Sequence, residues 1–382
     1  MKQLIFFTLC GLLMSRVAAQ SVEQLMHDGL YNEAIVRIDT KLNKLKQQPK
    51  SDSLFYFENQ KAEALIRLGK LNDAEAVLKR YSVQTTLTPH QQGINHTTYG
   101  LLWLIRGRND LSEDALKHAL QKFDQANTSD SPEAAQALTH LGNLYRTRGQ
   151  YSLAEEQLRM ALNLRERKLP ANHELMAASY NDLGLIYLQM DADKALDYYE
   201  RALSIYEKQH GNQHPKVAIA NTNIGFVYQK LELFGDAINY FESALAVWEK
   251  LYPGPHPAKA FILFSLGNTY KNMNDSKTAA SYYERALAMY TESYGIQHPE
   301  RARVLNAIGT LDISDNRYDD ALGHYQEALQ ANASGSTSSE IKTNPSSANF
   351  YDGFVFLYSL LYKAQAFEAR HFGKTLKFSD LK

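Results

Sequence analysis

The chain has 382 residues, 44% of them hydrophobic, and 41 basic residues stand against 42 acidic ones for a net charge of −1. No basic excess is available for a nucleic-acid backbone or an anionic membrane surface, and charges of both signs alternate along the chain as they do on solvated helical faces. The only cysteine is Cys10.

The first residues read MKQLIFFTLCGLLMSRVAAQ: Lys2, an apolar run of eleven from Leu4 to Met14, then Val17-Ala18-Ala19 before Gln20. This is the pattern of a secretory signal peptide over 1–19. The apolar run is too short to cross a bilayer, and Val17 and Ala19 suit the cleavage pocket. Cleavage is expected before Gln20. Phe7-Thr8-Leu9 is a poor lipobox ahead of Cys10. The mature chain then holds no thiol for a disulfide, a metal or a nucleophile. An exported protein of that kind fits a bacterial periplasm or extracellular space better than a eukaryotic secretory route.

Residues 20–130 repeat a helical grammar loosely. Leu30, Ala34 and Ile38 mark one helix, and Ala62 with Leu71-Asn72-Asp73-Ala74 and Leu78 marks a hairpin between Ser53 and Tyr81. A further unit has Gly100, Trp103, Ser112, Leu116 and Ala119, and the polar run Asn127-Thr128-Ser129-Asp130-Ser131 turns the chain and caps the next helix.

From 131 to 330 the repetition becomes regular. Gly142, Gly184, Gly225, Gly267 and Gly309 are spaced by 42, 41, 42 and 42 residues. Twelve residues after each glycine, or eleven in the second unit, stands Ala154, Ala195, Ala237, Ala279 or Ala321, with a second alanine seven residues later. Ten before the glycine stands Pro132, Pro215, Pro257 or Pro299, with Glu174 in that place in the second unit. Fixed-period self-similarity of this length means stacked repeats. Helical spacing of Ala218, Ala220, Ile224, Val227 and Tyr228, followed by the seven-residue alanine step, makes each unit a helical hairpin. Proline suits a helix start, and glycine and alanine suit helix crossings. Tyr145, Tyr187, Tyr228 and Tyr270 after the glycine, and Leu158, Tyr199, Phe241, Tyr283 and Tyr325 after the alanine, supply the bulk of the core. Asp312 takes the tyrosine place in the fifth unit.

Residues 331–348 are rich in Ser, Gly, Asn and Thr and read as a polar linker. A helical apolar pattern resumes over 349–382 with Phe354, Leu357, Leu361, Ala364 and Phe367, and Ser379-Asp380 resembles the start of a partner helix. A hairpin lacking its second arm is expected there, as in the front part of a longer protein with a further C-terminal domain.

Leu-Gly-x-x-Tyr, the small-aromatic-small second helix exemplified by Tyr198-Tyr199-Glu200-Arg201-Ala202-Leu203, and the His-Pro junctions resemble the tetratricopeptide repeat in its longer, kinesin-light-chain form. The resemblance covers roughly 300 residues. It implies an all-α fold, a right-handed superhelical solenoid of antiparallel hairpins whose concave groove binds a protein or peptide.

Catalytic motifs are missing from the sequence: there is no phosphate loop, no GxSxG, no HExxH and no Cys/His pair, and no cofactor or metal is implied. His214, His256 and His298 each precede a helix-starting proline and are read as junction residues that cap or pack. His210 and His214 are four apart, a spacing that on one helix would suit a metal, but Gly211 and Pro215 interrupt it. The tyrosine and phenylalanine stripes are read as core.

By the same resemblance, residues just before and after each repeat glycine face the groove. Asparagine recurs there as Asn143, Asn181, Asn223, Asn268 and Asn306, with His140, Asp182, Gln229, Lys271 and Arg303 beside it. Amides can pair with the backbone of an extended peptide, or simply be solvated. Phe226, Phe261 and Phe264 add an apolar patch or helix packing. Three functions stay open: an exported non-enzymatic scaffold, the recognition half of a CHAT-domain (caspase-like) protease, or the sensor half of a repeat-bearing histidine kinase.

Overall fold

In a computed structural model of the chain, the structure describes residues 21–27, 30–45, 52–82 and 87–332. The signal segment, most of the polar linker and the apolar stretch over 349–382 lie outside them. The described residues form sixteen α-helices and no strand: α1 (Val22–His27), α2 (Tyr31–Leu45), α3 (Asp52–Arg67), α4 (Leu71–Ser82), α5 (Pro89–Ile105), α6 (Asn109–Gln125), α7 (Pro132–Thr147), α8 (Tyr151–Lys168), α9 (Glu174–Met190), α10 (Ala192–His210), α11 (Pro215–Lys230), α12 (Phe234–Leu251), α13 (Pro257–Asn272), α14 (Ser276–Tyr294), α15 (Pro299–Ser314) and α16 (Tyr318–Asn332). Two compact units divide at 198/199, inside α10. None of the described helices is long and apolar enough to cross a membrane.

Within the first unit α3 pairs with α4, α5 with α6 and α7 with α8, and the first helices α3, α5, α7 and α9 run side by side. In the second unit α11 pairs with α12, α13 with α14 and α15 with α16, and each hairpin packs on the next. The core of that unit is built from Phe241, Leu245, Trp248, Leu263, Leu266, Tyr283 and Tyr290.

The repeat glycine does a specific job. A Cβ placed on Gly225 would lie 2.6 Å from the Phe241 ring, on Gly267 2.5 Å from Tyr283, on Gly309 2.7 Å from Tyr325, on Gly142 2.7 Å from Leu158, and on Gly100 2.5 Å from Leu116. Four of those five knobs are at most 2% exposed, and Tyr325 is 7% exposed. The large side chain four residues after the first alanine is therefore seated on bare backbone. What the glycine admits is chiefly this knob, with the partner helix's own backbone, such as the Ala154 carbonyl at 3.2 Å from the Gly142 Cβ position, a secondary contact.

The turn inside each hairpin is equally regular. Seven residues after the repeat glycine the backbone is left-handed, at Gly107 and Gly149 in the first unit and at Glu232, Asn274 and Asn316 in the second. The next amide reaches back to the carbonyl five residues earlier, as Gln150 does to Tyr145 and Leu233 to Tyr228, which closes the helix end. Asp191, the equivalent residue in the short repeat, instead has φ −157° and caps α10 by accepting from the Lys194 amide at 3.1 Å. The missing residue of the 41-residue spacing is thus the left-handed turn.

Helix starts follow the sequence. Ser131 accepts from the Ala134 amide at 3.1 Å. Each His-Pro histidine is an N-cap whose Nδ1 accepts from the amide two residues on: His214 from Lys216 at 3.2 Å, His256 from Ala258 at 3.1 Å, His298 from Glu300 at 3.2 Å. His173 does the same for Leu175 at 3.1 Å without a following proline. His298 also stacks on Tyr294 with centroids 3.9 Å apart, and His256 on Tyr252 at 4.4 Å. His210 and His214 stack face to face at 4.1 Å, on either side of the helix break after His210. In the fifth repeat Asp312 is buried and paired with Arg317 at 2.6 Å and His324 at 2.7 Å, so an ionic cluster fills the tyrosine's place.

Gly225→Leu is expected to lower stability by about 1 to 3 kcal/mol through overpacking against Phe241. Thermal melting checks this, and adding Phe241→Ala to Gly225→Leu should return part of the lost stability, whereas independent sites would make the losses add.

A second expectation concerns acid. A cap through Nδ1 needs a neutral ring, and burial, with Lys259 adding, holds His256 below the ordinary histidine range. The unfolded chain therefore takes up the proton first, so this stability is present above the unfolded histidine value and is lost as pH falls from there through the lower folded one. His256→Asn keeps a cap that does not titrate. Its melting temperature should fall less steeply than wild type between about pH 7 and pH 5, and identical slopes would contradict the assignment.

Candidate functional site

In the first unit the face formed by α3, α5, α7 and α9 carries an unusual concentration of polar groups. His140 on α7 is buried and its Nε2 has no partner. One turn on, the Asn143 amide donates to the Asp182 carboxylate of α9, while its oxygen accepts from Arg146 Nε at 3.4 Å. Arg165 comes from the other side, on α8. It is 8% exposed, and its guanidinium donates to the hydroxyls of Ser179 at 2.5 Å and Thr139 at 3.0 Å. Arg67 on α3 stands 3.6 Å from Glu63, which also accepts from Gln136 at 3.5 Å.

Electrostatics follow from this crowding. Burial pushes the Asp182 carboxyl up to about 6, and Arg165, Arg146, the Asn143 amide and Arg67 pull the other way. Burial drives His140 down to about 3, with Arg67 and Arg165 adding to the effect. Asp182 nonetheless keeps part of its surface accessible. Asn181 beside it is also half-buried.

The second unit presents a different face. Phe226 on α11 meets Phe261 on α13 edge-on at 5.7 Å, and the Arg303 guanidinium from α15 lies 5.7 Å from the Phe261 centroid and 5.0 Å from that of Phe264. All three rings are half-buried and Arg303 is exposed. Around them the amides are unevenly committed. Asn268 accepts from the Tyr283 hydroxyl at 2.7 Å, and Gln229 donates to Thr269 at 3.1 Å. Asn306 leaves a buried carbonyl oxygen without a partner. Asn223 and Lys271 are half-buried.

The groove residues expected from sequence thus fall into two sets, His140, Asn143, Asn181 and Asp182 in the first unit and the other nine in the second, each on the first helices of its unit. His140 alone among them is fully buried. Sequence reasoning passed over Arg165, although a signal was there. Four residues after the second alanine, four of the other units place Phe123, Tyr206, Trp248 or Tyr290, all buried, and this unit places an arginine.

Known proteins share this architecture. A Rap protein in complex with the competence and sporulation factor superposes with a TM-score of 0.60 at 16% identity, covering 91% of this chain and 96% of that one. The Cut9–Hcn1 hetero-tetramer of the APC/C gives 0.56 at 15% identity over 81% of this chain and 52% of that one. BtubC (BKLC) from P. vanneervenii gives 0.50 at 21% identity over 58% of this chain and 90% of that one. At such identities these likenesses speak for the fold alone. A TPR repeat-containing protein of Dictyostelium discoideum is 26% identical over 142 residues, 36% of this chain but only 8% of that protein's length. Tetratricopeptide repeats are recognised at residues 94–167, 166–208, 175–225, 216–292 and 279–334, over more than half of the sequence. The glycine-seated knobs, left-handed turns and capped first helices belong to those same residues, and the chain is a member of the tetratricopeptide repeat family.

Proposed function

We propose that this protein is an exported, non-enzymatic scaffold that binds an extended segment of a partner protein on the first-helix face of its second unit. The observation that carries the reading is the half-accessible cluster of Phe226, Phe261 and Phe264 with Arg303 laid over it. Aromatic surface left open beside arginine and amides is what protein interfaces use. An aromatic or aliphatic side chain entering there gains apolar contact, while the exposed Arg303 guanidinium can donate to backbone carbonyls beside it. The family's fold is suited to protein and peptide partners, and the Rap protein of similar fold is seen in complex with the competence and sporulation factor.

Asn268 and Gln229 already serve the protein's own hydrogen bonding, so they take a smaller share in recognition. Export rests on the first nineteen residues and on the single cysteine among them. The reading as the recognition half of a CHAT-type protease or of a histidine kinase rests on sequence pattern alone, and no observation among the described residues favours it.

The test starts from a displayed random-peptide library selected on the folded protein. Arg303→Ala is expected to weaken the selected peptides at least tenfold, about 1.4 kcal/mol, with little change in melting temperature. Glu242→Ala with Glu284→Ala, both exposed on second helices, should leave them unaffected. Loss of binding only in the glutamate variant would move the site to the opposite face. For export, mature protein isolated from the producing cell should begin at Gln20, and N-terminal sequencing that finds Met1 on exported material would refute it.

A further inference from the structure

Among the described residues no three histidine, cysteine or carboxylate side chains gather in one place, so a metal site there would have to be built on a pair. Two pairs of histidine rings lie close together: His210 with His214 in the second unit, and His96 on α5 with His118 on α6 in the first. The former is ill suited to an ion. Its rings lie face to face, 4.1 Å apart and 14° from parallel, so in-plane lone pairs run side by side instead of converging, and His214 Nδ1 is already spent on the Lys216 amide.

The first-unit pair differs on each count. The His96 and His118 ring centroids are 5.9 Å apart and the planes are tilted by 30°. A cation held by two imidazole nitrogens at about 2.0 to 2.1 Å puts the ring centroids about 4.5 to 6 Å apart, according to the angle at the metal. His118 Nδ1 lies 2.7 Å from the Asp114 carbonyl oxygen. A carbonyl only accepts, so Nδ1 carries the hydrogen and Nε2 of the neutral ring keeps its lone pair. Bonds of this kind orient metal-binding imidazoles. His118 is exposed, and the half-buried His96 ring makes no hydrogen bond among the described residues. Burial, with His118 and Lys122 adding, holds His96 below the ordinary histidine range, which keeps it neutral and able to ligate. Lys122 itself donates to Gln125 at 3.1 Å.

Neither histidine is a requirement of the fold. Four before the repeat glycine, where His96 stands, other repeats place Leu138, Tyr180, Asn221, Leu263 or Leu305. Two after the knob, where His118 stands, they place Met160, Arg201, Ser243, Arg285 or Glu327. A single hairpin carries imidazole at both. The two are 22 residues apart in the chain, on different helices, so no same-helix spacing announces them.

We propose that His96 and His118 form a two-imidazole site for a divalent first-row transition cation, which clips α5 to α6 and is filled most tightly by copper(II). Imidazole suits copper, nickel and zinc, and at a given nitrogen site copper(II) leads the divalent series. Water completes the coordination on the open side of His118. An ion that binds only when both helices are in place stabilises the hairpin by mass action, on top of the seat that Gly100 offers Leu116. The site lies wholly within the first unit and does not depend on the peptide face proposed for the second.

The experiment uses the full chain without a polyhistidine tag, at about pH 7.5, where free imidazole is mostly neutral. Calorimetric titration with copper(II), nickel(II) and zinc(II) chlorides is expected to show saturable binding, with copper at least tenfold tighter than zinc. In the zinc arm the ring nitrogen NMR signals of His96 and His118 should move together while those of His210 and His214 stay in place. Pulsed EPR of the copper form should count two imidazoles on the ion. His96→Leu and His118→Met each install the residue of the next repeat, Leu138 or Met160, so both variants are expected to fold, to bind copper at least tenfold more weakly and to lose the rise in melting temperature that zinc gives the wild type. Copper binding undiminished in His118→Met, zinc shifts confined to other histidines, a single imidazole on copper, or no saturable binding of any of the three ions would overturn the proposal.

Discussion

The structure depends on one steric constraint, met in five of the hairpins: a large side chain of the second helix is seated where the first helix has no Cβ. At Gly225, Gly267 and Gly309 the seat is filled by Phe241, Tyr283 and Tyr325, and at Gly100 and Gly142 by Leu116 and Leu158. The seat fixes how near the two helices lie and how far one slides along the other, because a bulky ring has one place to go. Everything else in a hairpin is set from that point: the helix lengths, the turn seven residues beyond the glycine, and the cap that restarts the next first helix. Repetition then multiplies a local fit into a broad face within each unit, without a single central core.

Much of this was legible in the sequence because the constraint is local and repeated. Glycine, alanine and proline at fixed offsets marked the crossings and helix starts, and His-Pro marked the junctions where His214, His256 and His298 prove to be caps. Other features were hidden for a physical reason. The left-handed turn carries glycine in the first unit but Glu232, Asn274 and Asn316 in the second, so residue identity alone did not betray a shared backbone conformation. The eleven-residue step in the second repeat was visible as a deletion, while its meaning, an Asp191 cap in place of a left-handed turn, required the backbone.

Side chains on the first helices were harder still. Position along a helix tells which face a residue occupies, but not whether its hydrogen bonds are spent at home. Asn268 and Asn143 look alike in sequence, yet one accepts from a core tyrosine and the other links Arg146 to Asp182. The arginine that matters in the first unit arrives from a second helix, in a column otherwise occupied mostly by aromatic residues. Comparing repeats position by position, instead of reading each face for its general polarity, is what exposes Arg165.

The seat has a further consequence, for the way the chain finds its structure. Each knob lies sixteen residues from its glycine, as Phe241 does from Gly225 and Tyr283 from Gly267. Closing so short a loop costs little chain entropy, and the contact that defines a hairpin forms without waiting for distant segments. Any hairpin with a well-fitting seat can therefore act as a starting point, from which order spreads to neighbours through the faces they share. Low contact order of this kind favours rapid assembly and leaves few long-lived exposed surfaces on the way. Under the proposed export, a chain that must become ordered after crossing a membrane, away from the ATP-driven chaperones of the cytosol, gains directly from a fold whose decisive contacts are all close by in sequence.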